Sequence, residues 1–143
     1  MKKSEQTVEL SINATPKAAW EVIGAVTGVE KWLGAMIKGS RVEGQKRICT
    51  LDGGVEFRED ILKIDHENRE FKYGIPEQPM MPVDNIIGSM KVTQDANGKA
   101  VVRWHWTFDV AEENEAQAKE MLAGAGQMGI KGIEELIAAQ VTA

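Results

Sequence analysis

At 143 residues the chain is long enough for one sizeable core and short for two domains. A net charge of -5 with no basic block argues against a nucleic-acid partner, and a single cysteine, Cys49, excludes an internal disulfide framework or a cysteine metal cluster. No apolar run is long enough to span a membrane, and Met1-Lys2-Lys3 leads into polar Ser4-Glu5-Gln6 rather than a signal-peptide core, so the expected location is the cytoplasm.

The chain opens on an alternating stretch. Val8, Leu10 and Ile12 share one side and Thr7, Glu9 and Ser11 the other, which predicts a half-buried strand over 7–12. Thr15 is suited to cap a helix and Pro16 to begin it. A short helix is predicted to about Val26, with Ala19, Trp20, Val22 and Ile23 as its apolar face, and Gly28 ends it. A second short helical turn, Val29 to Leu33, carries Trp32. The pair has a helix-turn-helix outline, but Glu21 and Glu30 make it a poor reader of DNA.

From Ile37 to Val110 the pattern predicts one antiparallel meander with short turns. Only the connection Pro76 to Pro82 is long, with Met80 and Met81 at its tip. That pair is either a lid over something apolar or a loop packed on its own body, and the lid is the preferred reading. Alternate side chains of a strand face opposite sides, so the inner face follows by parity. Val102, Trp104, Trp106 and Phe108 share a face, as do Ile86, Gly88, Met90 and Val92 one strand earlier. For these sets to meet, the Asn97-Gly98 turn must be a three-residue or bulged loop. A three-residue loop at Asp52-Gly53-Gly54 sets Cys49 opposite Phe57 and Arg47 opposite Glu59, and a two-residue turn at Gly44-Gln45 sets Val42 beside Arg47. Phe71, Tyr73 and Ile75 continue the face, which is apolar apart from Arg47, Glu59 and Tyr73. A charge on a covered face is costly unless paired. Arg47 and Glu59 therefore form either a structural ion pair at the mouth of the core or a polar anchor inside a ligand cavity.

The stretch from about Asn114 to Gln140 reads as one long amphipathic helix. Its stripe runs through Ala118, Met121, Leu122, Ala125, Met128, Gly129, Gly132, Ile133, Leu136 and Ile137. Four glycines (Gly124, Gly126, Gly129, Gly132) would cost such a helix about 4 kcal/mol. Either another backbone lies close, or space is left in front of the helix. The charged pair on the facing sheet favours space, so the helix is expected to wall a cavity.

The order strand, two short helices, six-strand meander and long C-terminal helix resembles the START-like helix-grip superfamily. Gly44-Gln45-Lys46-Arg47-Ile48-Cys49-Thr50-Leu51, then Asp52-Gly53-Gly54, Glu59, Asp65 and Tyr73-Gly74-Ile75, is similar to the bacterial polyketide cyclase/dehydrase (SRPBCC) group. So are Met81-Pro82-Val83-Asp84-Asn85 and the segment from Trp106 to Asp109. The resemblance implies an α+β helix-grip fold over a single domain, residues 1–143. In it a curved seven-stranded antiparallel sheet wraps a long C-terminal helix and encloses a cavity for hydrophobic ligands. It implies that Trp32, Arg47, Glu59, Tyr73 and the helix face fall at that cavity. Relatives often carry Tyr where this chain has Ile86, so an inner hydroxyl is missing there.

Parity and resemblance together make Trp32, Arg47, Cys49, Phe57, Glu59, Tyr73, Met90, Trp104, Trp106, Met121, Ala125, Met128 and Gly129 the candidate ligand-binding residues. Neither a metal site nor a cofactor motif is found. His66 falls in a turn and His105 on the outward side of its strand, so a histidine base has little support. Glu59, held ionised by Arg47, with Tyr73 as a proton donor, is the acid/base candidate. Three readings follow. The first is a binding protein for a small hydrophobic or amphipathic molecule, the second a cyclase- or dehydratase-type enzyme using Glu59 and Tyr73, and the third an interaction module with a filled core. The chain is expected to be a monomer or a homodimer.

Overall fold

A computed structural model describes residues 1–142, with side chains as far as Val141; Ala143, the last residue of the expected domain, lies outside the described residues. The described residues form strands β1 (Lys2–Ser11), β2 (Ile37–Glu43), β3 (Lys46–Leu51), β4 (Glu56–Asp65), β5 (Glu70–Ile75), β6 (Val83–Gln94) and β7 (Ala100–Val110). Helix α1 (Pro16–Ile23) and a 3-10 turn (Val29–Lys31) lie between β1 and β2, and helix α2 (Glu115–Thr142) follows β7. The strands make one antiparallel sheet in the order β1-β7-β6-β5-β4-β3-β2, so β1 and β2 are free edges. This is the expected α+β plan, a seven-stranded sheet set against a long C-terminal helix.

Local chemistry explains the element boundaries. Thr15 Oγ1 accepts from Ala18 N at 3.1 Å, and Pro16 opens α1 where its missing N–H costs nothing. The hairpin pairings derived from loop length are present: Arg47 lies opposite Glu59, Cys49 opposite Phe57 and Val42 opposite Arg47. The turn between β6 and β7 is the three-residue loop that parity required. Asp95 N donates to Lys99 O at 2.8 Å, Gly98 sits at φ +80°, and Met90 faces Trp104.

Three features differ from the sequence reading, and the first is the end of α1, which stops at Ile23 with Gly24 as its C-cap instead of running to about Val26 and ending at Gly28. β1 begins at Lys2 rather than Thr7. Its polar start still faces inward, because the Ser4 hydroxyl donates to the Glu115 carboxylate and Gln6 Nε2 donates to Lys119 O at 3.1 Å. Hydrogen bonds to the start of α2 there replace the apolar contacts that alternation would have marked. In β6 a bulge with Asn85 at φ +53° breaks strict alternation and turns both Val83 and Ile86 inward.

The buried stripe of α2 lies to one side of the predicted one. Ala118, Leu122, Gly126, Gly129, Ile130, Ile133 and Ile137 are buried, while Met121 and Met128 are 39% and 46% exposed. Three of the helix glycines mark close approach rather than space, against expectation. A Cβ on Gly126 would sit 2.7 Å from the Trp106 ring, and one on Gly129 would sit 2.8 Å from Trp104 Cζ3. A Cβ on Gly132 would overlap the backbone carbonyl of Trp32. Gly124, in contrast, meets nothing within 4 Å.

These contacts separate two substitutions of the same chemistry. Gly124→Ala should stabilise the protein by about 1 kcal/mol through helix propensity. Gly132→Ala should cost about 3 kcal/mol or prevent folding, because backbone must move. Urea titration with a common slope checks both, and equal effects at the two sites would contradict the packing described.

Candidate functional site

Between the sheet and α2 lies a cavity of about 80 Å³. The sheet brings Arg47 and Cys49 from β3, Phe57 and Glu59 from β4, Tyr73 from β5, and Trp104 and Trp106 from β7. Trp32 closes it from the turn after α1, and α2 presents Leu122 and Ala125. Met36, Met80 and Met81 stand at its outer end.

The ion pair is held from several sides. Arg47 Nε donates to Glu59 Oε1, and Arg47 Nη1 donates to the carbonyl oxygen of Val26 at 2.7 Å. The Cys49 thiol donates to the same Glu59 oxygen at 3.3 Å. The guanidinium also lies over the rings of Phe71 and Tyr73, 5.0 and 5.6 Å from their centroids. Burial works against the charge on Arg47, but the Glu59 carboxylate outweighs it and holds the pKa above its usual value. Val26 is a β-branched residue at φ +69°, a strained backbone that turns its carbonyl to the arginine.

Tyr73 is placed by a missing side chain. It pairs with Gly88 across β5 and β6, and a Cβ there would overlap the phenol ring. The hydroxyl accepts from Trp104 Nε1 at 2.9 Å and from Trp106 Nε1 at 3.3 Å. Both lone pairs are thus filled, and its own hydrogen has no acceptor among the described residues. Burial, then the charge of Glu59, pushes the Tyr73 pKa up, so the group donates a hydrogen bond far more readily than a proton. Burial and the same carboxylate push the Cys49 thiol up, which leaves it a protonated and poor nucleophile.

No wholly enclosed side-chain nitrogen or oxygen among the described residues lacks a partner. Among the described residues Glu59 Oε2 and Arg47 Nη2 take part in none of the hydrogen bonds, so both border open space, and the cavity is the space both residues line. The residues lining the cavity thus carry one free acceptor, Glu59 Oε2, and two donors, Arg47 Nη2 and the Tyr73 hydroxyl, on an otherwise apolar wall.

The structure does not bring every candidate here. Met90 is 1% exposed in the core and lies away from the cavity lining. Gly129 is pressed against Trp32 and Trp104 behind the wall. Met121 and Met128 line an outer groove instead, because they fall on the solvent side of α2. Sequence reasoning missed Val26 and Gly88. The first is a backbone contact that carries no side-chain signal, and the second was legible as the glycine facing Tyr73. Away from the cavity, exposed His66 accepts at Nδ1 from Trp20 Nε1 at 3.1 Å, and His105 is tied to Thr7 on the sheet's outer side. Among the described residues no three His, Cys, Asp or Glu side chains gather as a metal site, and no helix is long and apolar enough to cross a membrane.

Tyr73→Phe removes one oxygen and orphans two buried indole N–H groups. It should cost about 2–4 kcal/mol in urea unfolding; a loss under about 1 kcal/mol would mean the indoles find other acceptors. Cys49 should resist a thiol reagent at about pH 8 in the folded protein and react at once in denaturant. Fast labelling of the folded state would contradict the burial described.

A family model described as polyketide cyclase / dehydrase and lipid transport matches residues 1–138. No curated protein matches the chain in sequence. Among solved structures, XoxI from Bacillus cereus is 22% identical with a TM-score of 0.84, covering 94% of this chain and 96% of that one. An uncharacterised protein from Bacillus thuringiensis is 20% identical, also with a TM-score of 0.84, over 94% and 99% of the two chains. Norcoclaurine synthase from Thalictrum flavum, solved with a transition-state analogue, is 17% identical with a TM-score of 0.75 over 97% and 96%. At these identities the likeness is one of fold, the helix-grip arrangement of sheet and long C-terminal helix. With the family model spanning nearly the whole sequence, the chain belongs to the polyketide cyclase / dehydrase and lipid transport family.

Proposed function

We propose that the protein binds a small hydrophobic or amphipathic molecule between sheet and α2, with Arg47, Glu59 and Tyr73 as polar anchors. One observation supports this reading: Glu59 Oε2 and Arg47 Nη2, which have no hydrogen-bond partner among the described residues, belong to residues that line a small apolar cavity. A filled core would have closed on them or replaced them. The family description, which includes lipid transport, supports the same reading. At about 80 Å³ the cavity is smaller than the ~300–1,000 Å³ of small-molecule sites, so its methionine end must open to admit a ligand. We place the activity in a single domain in the cytoplasm, acting as a monomer or as a homodimer through β1 or β2.

A second reading, a cyclase- or dehydratase-type enzyme, draws on Glu59. One of its oxygens is held by Arg47 and Cys49 while the other has no partner among the described residues, the arrangement of a fixed general base. Tyr73 would polarise a carbonyl as a hydrogen-bond donor. Glu59→Gln would then abolish turnover and spare binding.

Native mass spectrometry of freshly purified protein tests the primary reading. A co-purified molecule is expected in the wild type and should be lost in Ala125→Phe, which fills the cavity from α2, with a change in Tm within about 4 °C. Retention of the same bound mass by Ala125→Phe would place the site elsewhere. If no ligand raises the melting point, the core is full and the interaction-module reading takes over.

A further inference from the structure

A second space lies beyond the methionine end of the cavity. Outside Met36, Met80 and Met81 lies a groove of about 310 Å³, floored by Gly124 and Ala125 and flanked by Met121 and Met128. Four residues, Met36, Met80, Met81 and Ala125, line both spaces, so they form the partition between them. Five of the chain's seven methionines thus line this one groove. The loop that carries two of them is held by its own glutamine. Gln78 Oε1 accepts from Met80 N and Met81 N at 2.7 and 2.9 Å, and Gln78 Nε2 donates to Met81 O and Val83 O at 2.9 and 3.1 Å. With that backbone fixed, the adjustable part of the partition is the unbranched thioether side chains, which change rotamer without moving the chain.

The inner space selects by charge as well as size. Arg47 and Glu59 cancel one another, and both are buried. A ligand carboxylate or ammonium would be a third buried charge with no counter-charge left for it. Glu59 Oε2 wants a donor, while Arg47 Nη2 and the Tyr73 hydroxyl want an acceptor. A carboxylate only accepts and an ammonium only donates, but a hydroxyl or primary amide does both. Burial first, and then the Glu59 charge, keeps the Tyr73 hydroxyl and the Cys49 thiol protonated, so neither adds a charge to the cavity. About 80 Å³ is room for two or three waters, hence for a head group and a few carbons. The rest of any longer molecule has to lie beyond the partition, where Glu120 is the one charged residue of the lining.

We propose that the ligand is a neutral amphipath whose uncharged head both donates to Glu59 and accepts from Tyr73 or Arg47, and whose apolar body passes between Met36, Met80 and Met81 into the groove beside Met121 and Met128. This rests on the reading of the cavity as a binding site, and names the class of molecule it takes.

Matched probes test it: decanol, decanoate and decylammonium at about pH 7, where the acid and the amine are both charged. Binding is followed through the emission of the cavity tryptophans and by calorimetry. Decanol should bind about tenfold or more tightly than either ion. Decanoate or decylammonium binding as well as decanol would overturn the neutral-head assignment while leaving the binding site intact. In the doubly substituted Met121→Gln, Met128→Gln protein, decanol affinity should fall about tenfold and butanol affinity should stay within about twofold. Both residues lie outside the core, so the variant should fold with a melting point close to that of the wild type, and an unchanged decanol affinity would remove the groove from the site. Absence of binding by all three probes would overturn this proposal. A co-purified molecule that Ala125→Phe loses would show, in that event, that the cavity binds but takes another class of ligand; with no such molecule, the binding-site reading fails too.

Discussion

Arg47 and Glu59 are 5% and 4% exposed, so each charge is tolerable only because the other is beside it. Removing one partner of such a pair typically costs about 3–5 kcal/mol, because the other is left buried and unpaired. The dependence spreads outward. Arg47 Nη1 takes the Val26 carbonyl and so stabilises a backbone conformation that a β-branched residue rarely adopts. That turn leads the chain from α1 to Gly28 and the Trp32 segment, whose backbone α2 touches at Gly132. Sheet, turn and helix are thus joined through one buried charge pair.

Around the pair, large groups meet absent ones. Tyr73 lies across Gly88, Trp106 against Gly126, and Trp104 and Trp32 against Gly129. The rings converge until two indole N–H groups share the Tyr73 oxygen. Close packing of this kind leaves little tolerance for a methyl group, and with both lone pairs of the phenol oxygen in use the hydroxyl can act further only as a donor. The cavity is therefore a remainder of rigid packing at its inner end. At its outer end it is bounded by side chains that bend.

The two ends suit different tasks. In the binding role proposed above, polar atoms fixed by several contacts would meet a head group without reorganising, and specificity would reside there. Thioethers are unbranched and pack against apolar groups of varied shape. This division follows from residue type: the inner end is built from β-strand aromatics and a salt bridge, the outer end from a helix face and a loop.

Much of the inner face was legible in the sequence. Strands repeat every two residues, and loop lengths fix register. Arg47 opposite Glu59 and Cys49 opposite Phe57 therefore followed from counting, as did the three-residue turn before β7. The family pattern placed the fold. The helix was another matter. A stripe of period 3.6 marks a face only to within the width of a residue or two, so the sequence admitted Met121 and Met128 to the interior and omitted Gly126 and Ile130. Whether a glycine faces space or a tryptophan depends on what lies across from it, information that local patterns do not contain. The bulge at Asn85 and the strained Val26 turn were hidden for the same reason, being imposed by distant partners. Local periodicity determined which residues of this protein share a face; only the tertiary structure decided which faces touch, because close packing is settled between elements and not within them.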